Sequence, residues 1–360
     1  MSHLLFVASR RVFPIAIGGA LLLDASTAAP LSGMLIIQSQ APGSSTYQLR
    51  EYAADGTPLQ TFIPPEAPGS TDSWHPRDLA ISEQTVHLYN GTFDPYLSTL
   101  EAESGVWSHR THDGWSTFNN VSYGGVARMG DRVFVSNMAT SGRPSHGVVY
   151  FDLSANTSSE FAGSLEPTDL NAGLDGRLWV LSNRVAYAFD PDTLAFTGQI
   201  SIADSDPRGI AVDANGNLYV ASWSGLLIKY SPAGLTLGSL NIGGNLLDVD
   251  VSEDGLVAVG TRLNGAWLTT TALAPPTQIE SDRWNSFVAF IPPDAAGLLG
   301  DMNCDGFITV SDIGGFVLAL TDPSAYAGQY PNCDIALADI NGDGAITVSD
   351  IGPFVALLTN

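Results

Sequence analysis

Two stretches near the C-terminus hold the residues best suited to chemistry. The first reads Asp301-Met302-Asn303-Cys304-Asp305-Gly306-Phe307-Ile308-Thr309-Val310-Ser311-Asp312. The second reads Asp339-Ile340-Asn341-Gly342-Asp343-Gly344-Ala345-Ile346-Thr347-Val348-Ser349-Asp350. Ca2+ takes six to eight hard oxygen ligands, and a looped chain offers them at positions 1, 3, 5, 7, 9 and 12. In the first stretch Asp301, Asn303, Asp305, the Phe307 carbonyl, Thr309 and Asp312 fill those places. In the second they are Asp339, Asn341, Asp343, the Ala345 carbonyl, Thr347 and Asp350. Glycine at position 6 permits the sharp bend, and Ile308 and Ile346 at position 8 pack inward. Three carboxylates crowded into each loop repel one another, so two Ca2+ ions are expected to order the pair. Mg2+ suits the loops less well, because it demands tight octahedral geometry and holds its waters.

Each loop must be positioned by the segment behind it. Ile313, Phe316, Val317 and Leu320 after the first, and Ile351, Phe354, Val355 and Leu358 after the second, recur at spacings of three and four. That spacing predicts a helix with one apolar stripe behind each loop. The segments ahead of the loops, Ala295 to Gly300 and Ile335 to Ala338, are too short for a helix of any length. Both cysteines lie here, Cys304 at loop position 4, where the side chain points away from the ion, and Cys333 in the connector. In an exported chain they are expected to pair, pinning the connector to the first loop with about 3–4 kcal/mol in the chain-entropy model. Two free thiols are the alternative, and a zinc site lacks histidines nearby.

The duplicated loop-then-helix pattern, closed by aspartate, resembles the dockerin type I module, most of all in Asp-Ile-Asn-Gly-Asp-Gly and Ser-Asp-Ile-Gly. The resemblance covers residues 301–360. It implies a docking face for a cohesin-like partner set by Val310, Ser311, Val348 and Ser349, offered in two orientations because the pairs are identical. The repeats start 38 residues apart, with a connector from Thr321 to Ala338 longer than such modules usually have. The alternative is a calcium staple that only stabilises the tail.

Ahead of this tail, a unit of about 40 residues recurs: an inner strand, a tight turn with Asp or Gly, then an alternating apolar strand. Asp78, Gly125, Asp169, Gly209 and Asp248 mark equivalent places in five copies. Four strands in such a unit, repeated, are the signature of a β-propeller blade. Residues 33–65 read as the last three strands of a further blade, and Asn285 to Ile291 as the strand that closes it. The fold class is therefore mainly β, a six-bladed propeller over residues 30–292, with a linker at 293–300. Five or seven blades result if the ends are read differently, and a β-sandwich is the alternative architecture. The copy Pro207-Arg208-Gly209-Ile210-Ala211-Val212, with Asn215-Gly216 and Leu218-Tyr219-Val220-Ala221, is similar to NHL-type and gluconolactonase-like propeller repeats. Members of the latter hold a divalent metal in the central channel.

Candidate channel residues by position are His75, Asp78, Asp169, Asn171, Asp206, Arg208, Asp248 and Asp250, with Glu166 the one glutamate at an inner-strand start. The competing reading makes them strand-end caps and solvated loop residues. His109 and His112 stand at i,i+3 but in strand context, where they face opposite sides of an exposed hairpin edge. No Gly-x-Ser-x-Gly, paired-carboxylate or phosphate-loop motif is present. The seven tryptophans, all between Trp74 and Trp284, read as core, with one or two available to stack on sugars.

Residues 1–28 have the order of a secretory signal: basic through Arg10-Arg11, apolar from Ile15 to Leu23, then small residues. Ser9-Arg10-Arg11-Val12-Phe13 also resembles the twin-arginine export motif. Export to a secreted, periplasmic or cell-surface location is expected, with no membrane span in the mature chain. A net charge of −23, with 14 Lys and Arg against 37 Asp and Glu, sets the chain against nucleic acid. The expected function is a calcium-binding protein whose propeller binds a ligand and whose tail tethers it, in an extracellular, polysaccharide-handling assembly. The alternative is a propeller hydrolase or lactonase anchored by the tail.

Overall fold

The computed structural model describes residues 29, 31–43, 47–65, 76–82, 84–90, 95–102, 104–112, 124–137, 147–292, 299–303, 308–330, 333–342 and 344–358. The expected signal segment, residues 1–28, lies outside them. The described residues form six four-stranded antiparallel sheets arranged as a ring. Their innermost strands are β4 (Pro76–Ser82), β8 (Val126–Met129), β12 (Pro167–Ala172), β16 (Pro207–Val212), β20 (Leu246–Val251) and β24 (Trp284–Phe290). Each packs on the next, and β24 returns to β4. The architecture is a six-bladed β-propeller.

Ring closure is as the sequence suggests. β1 (Leu35–Gln40), β2 (Tyr47–Tyr52) and β3 (Pro58–Phe62) form blade 1 only when β24 adds on the inner side of β1. Joining the first and last strands of the propeller in one sheet removes the open edge that a linear array would leave. Burial grades outward. All six residues of β16 are buried, because an inner strand meets neighbouring blades on both faces, whereas the outermost β19 (Thr236–Asn241) has none buried. Inner strands of adjacent blades approach one another closely. A Cβ on Gly125 would lie 2.1 Å from the Leu170 nitrogen, and one on Gly209 would lie 2.7 Å from Asp248 Cα. Glycine at these places is thus a requirement of close strand approach rather than of turn geometry.

The C-terminal part comprises α1 (Asp312–Thr321), α2 (Pro323–Gln329), a 3₁₀ turn at Ile335–Ala338, a second at Val348–Asp350 and α3 (Ile351–Leu357). Helix α2 goes beyond the two helices that the apolar spacing predicts. Asp322 caps it by accepting from the Ala325 nitrogen, and Pro323 opens it, a start signal that the connector carries. Its buried Tyr326 donates from Oη to the Met302 carbonyl at 3.0 Å. The long connector is thereby part of this unit's core, with Met302, Phe316, Ala319, Leu337 and Phe354. No helix among the described residues is long and apolar enough to cross a membrane.

Candidate functional site

The two C-terminal loops are built alike wherever both are described. Asp312 Oδ1 accepts from the nitrogens of Met302 at 2.8 Å and Asn303 at 3.2 Å, and its Oδ2 from Thr309 at 2.7 Å. Asp350 does the same with Asn341 at 3.1 Å and Thr347 at 2.9 Å. Both closing aspartates are fully buried, so each ties the start of its loop to the start of its helix. Asn303 and Asn341 donate from Nδ2 to Ser311 and Ser349 at 3.0 and 2.9 Å, which fixes the donor branch of each amide. Thr309 and Thr347 Oγ1 stand 2.6 Å from the same serine hydroxyls. In the second loop the Gly344 nitrogen donates to Asp339 Oδ2 at 2.8 Å, with Gly344 at φ +84°, the sharp bend at position 6.

Cys304, Asp305, Gly306, Phe307 and Asp343 lie outside the described residues. Among the described ones no three His, Cys, Asp or Glu side chains converge as a metal cluster. The donor chemistry, oxygen from Asp301, Asn303, Thr309 and Asp312 and from Asp339, Asn341, Ala345, Thr347 and Asp350, fits a hard cation such as Ca2+. Cys333 is disulfide-bonded, and Cys304 is the chain's other cysteine.

Both expected helices are present, and each apolar stripe is divided between a buried and an exposed side. Phe316 and Phe354 face inward and stack on each other, with centroids 4.0 Å apart and planes at 11°. They hold the same place in each repeat, so the two halves meet as a pseudo-twofold pair. Ile313 and Val317, and Ile351 and Val355, point instead to solvent. A helix pair this short has one line of contact, and the phenylalanines occupy it. The exposed residues match across the pair: Val310 and Val348 at 79% and 80%, Ile313 and Ile351 at 43% and 44%, Val317 and Val355 at 50% and 51%. Ser311 and Ser349 are exposed beside them.

The propeller channel is the second place where chemistry gathers, a cavity of about 700 Å³ lined in part by Asp78, Asn171, Asp248 and Asp250. Asp78, Asp169 and Asp248 are not solvated caps but buried clasps between blades. Asp78 Oδ1 accepts from its neighbour Leu79 and Oδ2 from Val126 on β8, both at 2.7 Å. Asp169 takes the Ile210 nitrogen at 2.7 Å, and Asp248 takes Val288 at 2.7 Å. A second layer repeats the device, with Asn171 accepting from Val212 at 3.1 Å and Asp250 from Phe290 at 2.9 Å. Burial pushes Asp78 and Asp169 well above the usual carboxylate range, and the neighbouring aspartates' charges add to it. Burial likewise raises Asp248 to about 7 and Asp250 to about 6. The signal available in the sequence was the Asp-Gly-Asp-Gly-Asp alternation at the period's own reference positions.

Other candidates do not join this group. Asp206 pairs with Arg208 at 2.9 Å near the surface, and Glu166 is exposed. His75 lies outside the described residues. His112 is no exposed edge: it reaches Ser158 at 2.8 Å and Glu160 at 3.2 Å on β11 (Thr157–Phe161), while His109 contacts Ser98 at 2.9 Å. Arg208 and Arg262 lie over the Trp223 ring at 4.5 and 5.2 Å, and Trp179 is core, so neither is an open sugar platform.

Fold and site together define a six-bladed β-propeller followed by a small, duplicated loop–helix unit. Solved structures with a similar fold include streptogramin B lyase, at 13% identity and a TM-score of 0.46 over 72% of this chain and 86% of that one. A Bacteroides caccae protein of unknown function aligns at 10% identity and 0.48, over 72% and 99%. The Neurospora crassa Pan2 WD40 domain aligns at 9% and 0.44, over 76% and 83%. These likenesses are of architecture and say nothing of activity. No family model matches the chain, and neither does any curated protein.

Proposed function

We propose that this is an exported protein in which a calcium-loaded loop–helix pair docks on a partner and so tethers a ligand-binding propeller. The observation that carries the reading is the paired exposure of Val310, Ile313 and Val317 with Val348, Ile351 and Val355. Apolar side chains this exposed and this regular mark an interaction surface more than a stability device. A staple needs only the buried Phe316–Phe354 stack and the closing aspartates. Two equivalent strips offer a cohesin-like partner two ways to bind. Ca2+ would be held by the oxygen sets of the two loops, supplying the positive charge that lets the carboxylates crowd and the strips stand in register. The test is retention of a secreted or envelope protein on immobilised full chain in calcium, with loss in chelator. V310D and V348D should each keep the partner, and V310D/V348D together should lose it. Retention by the double variant, or retention in chelator, refutes this reading.

A second reading, a propeller hydrolase or lactonase, is favoured by Asp248 and Asp250, which line the channel cavity and whose raised pKa values suit proton transfer near neutrality. Turnover of a lactone or glycan that is lost in D250N would support it, and the same turnover in D250N would remove it.

A further inference from the structure

Between blades 2 and 3, adjoining the channel cavity with which it shares Ser82 and Arg128, lies a polar cavity of about 250 Å³. Blade 2 is β4, β5 (Thr85–Asn90), β6 (Tyr96–Glu101) and β7 (Val106–Arg110). Its face toward blade 3 is apolar around Tyr89 and Leu97, which pack on Val126, Val133 and Val149. Two residues along the strands it turns polar, in a cross-strand row of His87, Thr99 and Ser108. Arg110 lines the cavity beside that row, and Arg128 reaches it from β8 of blade 3.

His87 is almost wholly buried, and its Nε2 has no hydrogen-bond partner among the described residues, while Nδ1 lies 3.1 Å from Thr99 Oγ1. Equivalent aromatics in other blades have their polar atoms taken. Trp179 Nε1 donates to Asp175 at 3.1 Å, and Tyr219 Oη donates to Asp213 at 3.0 Å. Glu83, four residues before His87 as Asp175 is before Trp179, lies outside the described residues. Among the described residues no acid pairs with Arg110, and Glu101, the acid on the wall, is exposed and accepts from Thr85 at 3.1 Å. Arg128 approaches the exposed Asp131 at 4.0 Å. Burial, with the charges of Arg128 and Arg110 adding to it, lowers the His87 imidazole to about 3, so the ring is neutral at pH 7. A chain with 14 Lys and Arg and a net charge of −23 thus places two arginines and a buried, unpartnered imidazole nitrogen around one small cavity.

We propose that this cavity binds one oxyanion group, a carboxylate or a tetrahedral sulfate-type ion, through Nε2–H of neutral His87 and the guanidinium of Arg110, with Arg128 facing it from blade 3. A guanidinium fork suits such a group, and the buried imidazole N–H gains the acceptor it lacks. The site requires the tautomer in which Thr99 donates to Nδ1 and Nε2 carries the hydrogen.

The test is 15N-histidine NMR on the full chain, titrated with sodium sulfate and separately with sodium acetate at constant ionic strength made up with NaCl. The expected result is hydrogen on His87 Nε2 and a saturable shift of that nitrogen, with a Kd of about 1 mM. R110Q should weaken it at least about tenfold while leaving tryptophan fluorescence unchanged. A response to sulfate alone assigns a tetrahedral ligand, and to acetate alone a carboxylate. Hydrogen on Nδ1, no saturable shift with either anion up to about 100 mM, or an R110Q affinity equal to wild type overturns the proposal.

Discussion

Replacing Asp248 by Asn should change how the propeller's stability depends on pH, not merely its level. Asp248 is buried and its pKa rises from 3.8 to about 7. An acid whose folded pKa is raised binds its proton more tightly in the folded state. Its contribution is therefore fully present below pH 3.8 and is lost as pH rises through about 7. A shift of that size corresponds to at most about 4 kcal/mol between the two limits. Asparagine cannot ionise, but it has one acceptor where the carboxyl has two, so either the Val249 or the Val288 nitrogen loses its partner. That loss costs about 1–2 kcal/mol at all pH values. The two stability curves should therefore cross: D248N is weaker than wild type near pH 4 and equal or stronger near pH 8. Urea unfolding followed by tryptophan fluorescence reads the propeller alone, because every tryptophan lies between Trp74 and Trp284. Parallel curves for the two proteins, offset by a constant, would refute the argument that burial of this charge governs the slope.

Three further outcomes are expected. Ca2+ at about 100 times its Kd should raise the stability of the C-terminal unit by about 2.7 kcal/mol per site, and D339N should remove one of two calorimetric binding events. F354A, which deletes half of the Phe316–Phe354 stack, should destabilise that unit by about 3–5 kcal/mol and leave the fluorescence transition of the propeller in place. G125A forces a Cβ against the Leu170 nitrogen, so it should lower the propeller's urea midpoint by the equivalent of about 3 kcal/mol, whereas G198A, whose Cβ would meet nothing nearer than Arg177 Nη1 at 3.8 Å, loses far less.

Much of the fold can be read along the chain because its causes are local. The alternation of Leu218-Tyr219-Val220-Ala221 after Asn215-Gly216 shows a strand leaving a hairpin, and repetition at blade length shows the ring. The role of β24 comes from counting: blade 1 is a strand short without it. The loops are readable because ligand spacing is a property of consecutive residues. The exposure of Ile313 and Val317 is not, since an apolar stripe looks the same whether it meets one helix or spans a core face and a free face. His87 gives no signal either, because its isolation depends on what blade 3 places opposite it.

Six blades as the favoured count, the strand that closes the ring, the two twelve-residue loops and the helices behind them are legible along the chain. Each of these rests on period, turn chemistry or ligand spacing within a few tens of residues. Which aspartates become clasps, which apolar side chains face water and which histidine nitrogen has no partner among the described residues are set by contacts between distant segments. Those outcomes depend on groups some 40 residues apart, such as Asp78 and Val126 or Phe316 and Phe354, meeting at a contact that no local pattern encodes.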